Sequence, residues 1–337
     1  MTSASVKNSR RKVLALGAVS LAVPFLAGVG LAQGAKRAAR IVPAPKTTET
    51  SLPWIAAQSG LFAELQLEAT FPPTAPDGAA ALAALLDGKA DLAYAGIAPL
   101  AQRRLAGADP VFVATLIEPN KGGFLVTAPA IRAQLQLAGS RVGVLSRDGP
   151  TAQSATAVLE RAGATATLVV HDSFDTIYQA LAAGAIDAGW LPVDLSIKGR
   201  AAFGWNAFEG VRLTLPGGYA TSRRLAAADR GLVEAMVKGI VAAIHTFKTQ
   251  PQEVAALLQR LLGVEQAVAA DLQAFYAPLF RQAPAPSLYF GMPALRASLQ
   301  PRYPAAARLQ AADLVDATFV DALSTSGYIS QLYAGKR

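Results

Sequence analysis

The chain has 337 residues, of which 52% are hydrophobic, enough to bury a large core divided between two domains. It contains no cysteine, which excludes disulfides, thiolate metal sites and cysteine nucleophiles, and its two histidines, His171 and His245, lie far apart in the sequence. Eight of the 31 basic residues and none of the 23 acidic residues lie in residues 1–48. The formal net charge of +8 therefore belongs to the start of the chain and gives no reason to expect nucleic-acid binding.

Residues 1–32 have the pattern of a cleaved signal peptide. A basic segment precedes an apolar run over about 13–31, and the small residues Gly30 and Ala32 suit cleavage before Gln33. We therefore expect an exported, periplasmic protein.

Two features of this leader leave alternatives open. The apolar run is about long enough to act as a membrane anchor, although Pro24 and several glycines disfavour a permanent helix. The adjacent Arg10 and Arg11 are typical of the twin-arginine export signal, but adjacent arginines also occur in ordinary leaders.

Helices and strands alternate along the first part of the body. The pattern predicts a helix over 52–61, a strand over 65–71, a helix over 77–86, a short strand over 91–95, a further helix, and strands over 109–117 and 122–128. Ser and Thr residues before position 52 suit a helix N-cap, and Gly88 suits a left-handed C-cap. This alternation predicts a mostly parallel sheet flanked by helices.

The second part repeats the scheme and ends in a helical tail. The predicted elements are strands over 140–146, 165–171, 186–192 and 211–218, with helices over 149–163 and 174–184. After Thr221 the pattern is mostly helical. Apolar residues recur at helical spacing over 232–244, which predicts a core-facing stripe, and Pro251 begins another helix. We expect two α/β lobes, with the tail packed on one of them.

One turn occurs twice. Gly88 and Asp91 in the first half correspond to Gly184 and Asp187 in the second, both at an offset of 96 residues. In both places a Leu-rich helix stops at the glycine and a small-residue strand follows the aspartate. We expect each lobe to present this corner to a shared cleft.

Candidate ligand-binding residues follow from the rule that solutes bind beyond the carboxyl ends of strands, where loops lead into helix N-termini. The candidates are Thr47, Thr48, Ser51, Gly96, Ile97, Ser146, Arg147, Thr151, Trp190 and Asp194. Helix capping is the alternative role for the Ser and Thr residues. Arg147 would pair with an anionic ligand or with Asp148 and solvent, and Trp190 would stack on a ligand or fill the core between the lobes.

Five segments together resemble ABC-transporter substrate-binding proteins, most closely those of the nitrate/sulfonate/taurine (aliphatic sulfonate-binding) family. They are SLPWIAAQSGLFAE, DGAAALAALLDGKADLAYAGIAPLAQRRLAG, LAGSRVGV, ALAAGAIDAGW and ADLVDATFVDAL, and their order and spacing from about Thr47 to Tyr333 carry the resemblance. It implies a monomeric two-lobe periplasmic-binding-protein clamshell (type II) without cofactor, metal or catalytic residue. Such a protein traps a small-molecule solute and docks on an ABC permease driven by its ATPase.

The resemblance also implies a domain arrangement. The first lobe would be discontinuous, over 41–122 and 219–337, and the second lobe would span 123–218. Two glycine pairs fall at these crossings, Gly122–Gly123 and Gly217–Gly218, and glycine absorbs large backbone changes at low steric cost. We expect them to act as hinges, although ordinary turns would have the same composition.

Three readings of function remain after this comparison. The main expectation is a binding protein, not an enzyme, for a small organic anion such as a sulfonate; a carboxylate or a neutral nitrogen heterocycle would fit the same candidates. Pyrimidine-synthesising enzymes share the general fold, but they are expected to use histidines and a Cys-rich segment that this chain lacks. A membrane-anchored adaptor would require the leader to be retained.

Overall fold

Ten strands in the described part of the chain form two five-stranded sheets. The structure is a computed structural model that describes residues 36–73, 75, 77–117, 123–147, 150–209, 217–288 and 291–335. The strands are β1 (Arg37–Val42), β2 (Leu67–Thr70), β3 (Leu92–Gly96), β4 (Pro110–Thr115), β5 (Phe124–Thr127), β6 (Arg141–Val144), β7 (Thr167–Val170), β8 (Ala188–Leu191), β9 (Asn206–Glu209) and β10 (Gly217–Ser222).

Helices surround both sheets. The α-helices are α1 (Leu52–Gln58), α2 (Leu61–Glu64), α3 (Gly78–Leu86), α4 (Ile97–Leu105), α5 (Pro150–Arg161), α6 (Phe174–Ala182), α7 (Val193–Phe203), α8 (Arg223–Ala228), α9 (Arg230–Thr249), α10 (Pro251–Leu262), α11 (Gln266–Tyr276), α12 (Met292–Leu299), α13 (Thr318–Thr325) and α14 (Tyr328–Ala334). Short 3₁₀ helices cover Gln134–Leu137, Pro304–Arg308 and Ala311–Asp313. Within the described ranges, no helix combines the length and apolar character needed to cross a membrane.

The two sheets have the same topology. The strand orders are β2-β1-β3-β10-β4 and β7-β6-β8-β5-β9. In each sheet four strands run in one direction, and the remaining one, β10 or β5, pairs antiparallel with both neighbours. The chain passes from the first sheet to the second between β4 and β5 and returns between β9 and β10. This confirms the expected α/β fold with two lobes.

Local sequence signals explain where the helices beside the cleft begin. The Asp77 carboxylate accepts the Ala80 N–H at 2.8 Å and caps α3, and the Ser173 hydroxyl accepts the Thr176 N–H at 3.1 Å and caps α6. Both caps satisfy donors that the first helical turn leaves without an intrahelical partner. The predicted apolar stripe of α9 is buried, with Val233, Val237 and Ile244 inaccessible to solvent.

The C-terminal helices pack mainly on the first lobe. Helix α9 covers α1, α2 and β1, while α13 packs on β4. Helix α11 differs, because it packs against α7 of the second lobe, where the Arg200 guanidinium and the Asp271 carboxylate form an ion pair at 3.0 Å. The tail therefore contacts both lobes.

Strand β1 was missed by the sequence analysis. Its sequence RAARIV lies beside the leader, and Arg37 and Arg40 were counted with the leader's basic residues. In the structure β1 lies between β2 and β3, and its arginines have acidic partners, Asp229 for Arg37 and Asp91 for Arg40. The first sheet therefore begins earlier in the chain than the predicted limit of 41 for the first lobe.

The repeated corner is confirmed as a turn, but the prediction that it faces the cleft is wrong. Gly88 and Gly184 have φ angles of 72° and 69°, the left-handed region that favours glycine. Asp91 and Asp187 precede β3 and β8, so both corners lie at the amino ends of the parallel strands. The cleft described below lies at the opposite, carboxyl ends.

The glycines expected at the hinges have a packing role in the structure. A Cβ on Gly123 would run into the Leu191 carbonyl, one on Gly217 into the Tyr94 hydroxyl, and one on Gly218 into the Ala114 carbonyl. Gly122 and most of the strand predicted over 211–218 lie outside the described residues. Gly217 and Gly218 begin β10, which pairs with β3 and β4 of the first sheet. Their hinge role and the 218/219 lobe boundary stay predictions.

Candidate ligand-binding cleft

A cavity of about 530 Å³ lies between the two lobes at the carboxyl ends of their strands. Its walls come from the segments after β1 and β4, from β3, from the starts of α3, α6 and α7, and from the end of α11 with the residues just after it. The lining residues are Pro45, Lys46, Thr47, Glu49, Thr50, Asp77, Tyr94, Ile117, Ser173, Phe174, Asp175, Pro192, Val193, Asp194, Leu195, Phe275, Tyr276 and Leu279. A volume of this size suits a small organic molecule.

Glu49 and Tyr94 form the polar wall of the first lobe. The Tyr94 hydroxyl donates to Oε1 of Glu49 at 2.6 Å. The segment that carries Glu49 is held by its own threonines: the Thr50 hydroxyl donates to the Pro45 carbonyl at 2.6 Å, and the Tyr219 hydroxyl donates to the Thr50 carbonyl at 3.0 Å. Glu49 is therefore presented by a fixed loop.

Asp194 joins the two lobes. It lies in the first turn of α7 and accepts on Oδ2 from the backbone N–H and the hydroxyl of Thr48, at 2.7 and 2.8 Å. Its Oδ1 accepts from the Tyr276 hydroxyl at 3.0 Å. A residue of the second lobe is thus clasped by the first lobe and by the helical tail.

Burial raises the pKa of both carboxyl groups. Burial, with a further contribution from the charge of Asp194, raises the pKa of Glu49 from 4.5 to about 7, although the Tyr94 hydrogen bond opposes this. Burial also raises the pKa of Asp194 above 3.8, against the hydrogen bonds from Thr48 and Tyr276. The same burial and the nearby carboxylates raise the pKa of the Tyr94 and Tyr276 hydroxyls, which stay protonated and donate.

Three helix N-termini border the cavity, and each carries a carboxylate of the chain itself. Asp77 caps α3, Asp175 lies in the first turn of α6 and Asp194 lies in the first turn of α7. The positive end of a helix dipole would otherwise attract an anionic ligand. Here that favourable position is already occupied by negative side chains.

Most of the remaining described lining is apolar or aromatic, and its polar members are Lys46, Thr47, Thr50 and Ser173. Phe174 belongs to the second lobe, Ile117 follows β4, and Phe275, Tyr276 and Leu279 belong to the tail. The Phe275 ring meets the Phe124 ring edge-on, with centroids 5.9 Å apart. The cavity therefore combines an acidic end with surfaces that suit a flat apolar body.

The structure brings together only some residues predicted in the first lobe. Thr47 lines the cavity, and Thr48 is buried where it holds Asp194. Ser51 is buried at the start of α1, where its hydroxyl donates to the Thr48 carbonyl at 2.7 Å and makes no capping bond to the helix. Gly96 ends β3 outside the lining, and Ile97 is a core residue that is 1% exposed.

In the second lobe, Asp194 alone of the predicted residues lines the cavity. Ser146 and Arg147 are exposed and lie outside the described lining. The Thr151 hydroxyl accepts the Leu145 N–H at 3.0 Å, and Trp190 is 2% exposed within the core of the second lobe. Trp190 therefore fills the core of the second lobe, not the core between the lobes, and Thr151 supports the segment that follows β6.

Sequence reasoning missed Glu49, Tyr94, Phe275 and Tyr276. Glu49 had a partial signal in the sequence, because it is an acidic residue among threonines just before the predicted first helix. Tyr94 lies within a small-residue strand, and the two aromatic residues of α11 lie far along the chain from every strand end, so nothing local marked them.

No group of three or more His, Cys, Asp or Glu within the described ranges is arranged to hold a metal ion.

The paired sheets and the cavity between them define the fold of two-lobe solute-binding proteins, and solved structures share it. The alkanesulfonate-binding protein SsuA from Xanthomonas axonopodis pv. citri, bound to MOPS, is 20% identical, with a TM-score of 0.61 over 84% of this chain and 98% of that chain. The aliphatic sulphonate-binding protein SsuA from Escherichia coli is 18% identical, with a TM-score of 0.63 over 80% and 92%. The ligand-binding component of an ABC-type import system from Staphylococcus aureus, with zinc bound, is 12% identical, with a TM-score of 0.61 over 85% and 98%.

Residues 49–271 match the model of the NMT1/THI5-like family. The chain belongs to that family. No curated protein shows significant sequence similarity to the chain. The matched range begins at Glu49 and includes every strand that follows β1.

Proposed function

We propose that the protein is the extracytoplasmic solute-binding component of an ABC importer. It takes up a small solute between its lobes and delivers it to a membrane permease. The observation that carries this proposal is the cavity of about 530 Å³ whose walls come from both lobes and whose closing contact, Asp194 on Thr48, joins them. A contact of this kind lets lobe closure and solute capture favour each other.

The proposal is tested by measuring closure directly. The chain lacks cysteine, so Arg103→Cys on α4 and Gln179→Cys on α6, both exposed, allow two fluorophores to be attached, one per lobe. A solute that binds is expected to raise the melting temperature and change energy transfer between the labels at the same concentrations. If no member of a broad panel of sulfonates, carboxylates, amines and heterocycles changes either quantity, solute capture is refuted.

Asp194→Ala provides the matched variant for this experiment. Loss of the carboxylate removes the Thr48 and Tyr276 hydrogen bonds, so the expected result is a weaker solute response and a shifted energy-transfer baseline. Asp172→Ala, an exposed aspartate outside the described lining, is the control and is expected to leave both unchanged.

Export by the leader is part of the proposal. Residues 1–32 lie outside the described residues, so this part depends on their composition. The protein recovered from the periplasm is expected to begin at Gln33, as read by mass spectrometry. Replacement of Arg10 and Arg11 by lysine is expected to retain it in the cytoplasm if the twin-arginine route is used; unchanged export would indicate the general route.

The organic anion expected from the sequence is not carried into this proposal. The described lining contains four carboxylates, Glu49, Asp77, Asp175 and Asp194, against Lys46 as its basic residue. Arg147, the residue expected to bind an anion, lies outside that lining. The sulfonate ligands named for similar folds are properties of those proteins.

A further inference from the structure

We propose that the cleft selects an organic cation, a flat apolar molecule with an N–H-bearing positive group that donates to Glu49. This inference rests on the proposed function, because it names the class of solute for the same cavity. Its basis is a carboxylate with an unused acceptor, in a cavity whose lining combines further carboxylates with apolar and aromatic surfaces.

Glu49 has an acceptor that the protein leaves open. Its Oε1 accepts from Tyr94, whereas Oε2 accepts no hydrogen bond from any residue in the described ranges. Asp194 differs, because both of its oxygens are already bonded, one by Thr48 and one by Tyr276. Glu49 is half-buried and lines the cavity, so a donor from a solute in the cavity can reach the open oxygen and bond to the carboxylate.

The charges around Glu49 favour a positively charged donor group on the solute. Glu49 faces Tyr94 from β3, Asp194 from α7 and Tyr276 from α11, and Tyr219 of β10 lies behind it. These neighbours are acidic or neutral, and Asp77 and Asp175 add two carboxylates to the lining, while Lys46, on the same loop, supplies its positive charge. An anion would meet repulsion here, whereas a cation gains from two carboxylates in a partly dry site.

The apolar walls favour a planar body for the cation. Phe174, Phe275 and Tyr276 offer ring surfaces, and Ile117 and Leu279 offer aliphatic ones. Aromatic faces attract cations and stack on flat rings. A compact metal ion would use none of these surfaces.

The acidity of Glu49 gives the binding a diagnostic pH dependence. Its pKa of about 7 means that the free protein holds a proton on this site in mildly acidic solution, and a cation must displace it. Affinity for a permanent cation is therefore expected to rise about tenfold between about pH 6 and about pH 8. Affinity for an anion would change in the opposite direction.

Four probes with the same ring test the inference by calorimetry on the purified protein. Benzamidine is a cation, benzamide is neutral, and benzoate and benzenesulfonate are anions. Benzamidine is expected to bind at least tenfold more tightly than the other three and to follow the pH dependence above.

Two variants locate the effect. Glu49→Gln keeps an acceptor for Tyr94 but removes the charge, so benzamidine binding is expected to weaken about tenfold at pH 8 and to lose its pH dependence. Glu68→Gln on β2, exposed and outside the described lining, makes the same chemical change elsewhere and is expected to bind like the parent protein.

The remaining outcomes overturn the inference. Benzoate or benzenesulfonate binding in place of benzamidine would refute it and leave solute capture standing. Equal binding of benzamide would remove the role of charge, and a pH dependence that persists in Glu49→Gln would assign it to another group. If none of the four binds, the cation inference fails, and the closure measurement with the broader panel decides separately whether the protein captures a solute.

Discussion

The two lobes are alike at the amino ends of their parallel strands and different at the carboxyl ends. At the amino ends the lobes are alike: Arg40 grips Asp91 in the first lobe as Arg141 grips Asp187 in the second, through the same backbone and side-chain donors. At the carboxyl ends they differ, since the first lobe contributes Glu49 and the second Asp194. The repeated feature of the two lobes is therefore structural, whereas the lining of the candidate cleft differs between them.

The two corners have the same hydrogen-bond distances for two of their donors, but their aspartates differ in burial. In both, the arginine N–H donates to the aspartate at 2.8 Å and Nε donates at 3.1 Å, and a guanidinium nitrogen reaches the carbonyl of Gly88 or Gly184. The Asp91 side chain is 12% exposed, whereas that of Asp187 is 36% exposed. Because water weakens the second corner, the same motif should stabilise the two lobes unequally.

Removing the aspartate of each corner should lower the free energy of unfolding by unequal amounts. Asp91→Ala leaves the Arg40 N–H and guanidinium without their acceptor, and we expect it to lower the free energy of unfolding by about 3 kcal/mol. Asp187→Ala should cost less than half as much, because water replaces part of what is lost. Denaturant unfolding of the two variants measures both values.

The control for this pair is Asp172→Ala, an exposed aspartate without a recorded ion pair in the described part of the chain, for which we expect almost no change. Equal losses for Asp91→Ala and Asp187→Ala would contradict the reading that burial sets the strength of the corner.

At the carboxyl ends, Glu49→Gln should stabilise the protein in a pH-dependent way. Since burial raises the pKa of Glu49 from 4.5 to about 7, the unfolded chain releases a proton that the folded protein keeps. The free energy of unfolding therefore falls as pH rises from about 4.5 to about 7 and is level above. Replacing Glu49 removes this penalty, with an expected gain on the order of 2 kcal/mol at pH 8 and almost none near pH 4.5.

Thermal unfolding of the parent and of Glu49→Gln at the two pH values tests this expectation, with Glu68→Gln as the matched control. A gain of the same size at both pH values would show that Glu49 is not the titrating group. The result also separates stability from binding, because the change that weakens capture of a cation is the one that strengthens the fold.

The corner glycines should behave alike in both lobes. Gly88 and Gly184 have positive φ angles of 72° and 69°, and a Cβ at either would meet no atom within 4 Å. Gly88→Ala and Gly184→Ala should therefore each cost about 1 kcal/mol, all of it backbone strain. Chemical denaturation that gives clearly unequal values would mean that one turn relaxes and the other does not.

The fold was predictable because helices and strands alternate along the chain and because glycine and proline residues mark where several of them begin or end. Gly88, Gly184 and Pro251 marked ends and starts that the structure retains. Strand β1 was not predicted because its arginines have the composition of the basic leader. In the structure these arginines form ion pairs with Asp91 and Asp229. Those partners are distant in sequence, so no local pattern contained this information.

The cleft was predictable in position but not in composition. The rule that ligands lie beyond carboxyl strand ends located the cavity and named Thr47 and Asp194. It did not identify Tyr276, which reaches Asp194 from a tail helix, or the burial that raises the pKa of Glu49. Both depend on how the tail and the two lobes pack together.

The smallest expected effect concerns a difference between the corners that should not matter. Lys89 pairs with Asp87 at 3.1 Å beside the first corner, whereas the positions at the same offset in the second lobe, Ala185 and Ala183, offer no such pair. The Lys89 and Asp87 side chains are 73% and 58% exposed, so solvent screens their attraction. Lys89→Ala makes the first corner resemble the second, and it should change the free energy of unfolding by less than about 0.5 kcal/mol in denaturant titration. A loss comparable to that of Asp91→Ala would mean that the first corner depends on its surface charges, and burial would no longer explain why the two lobes differ.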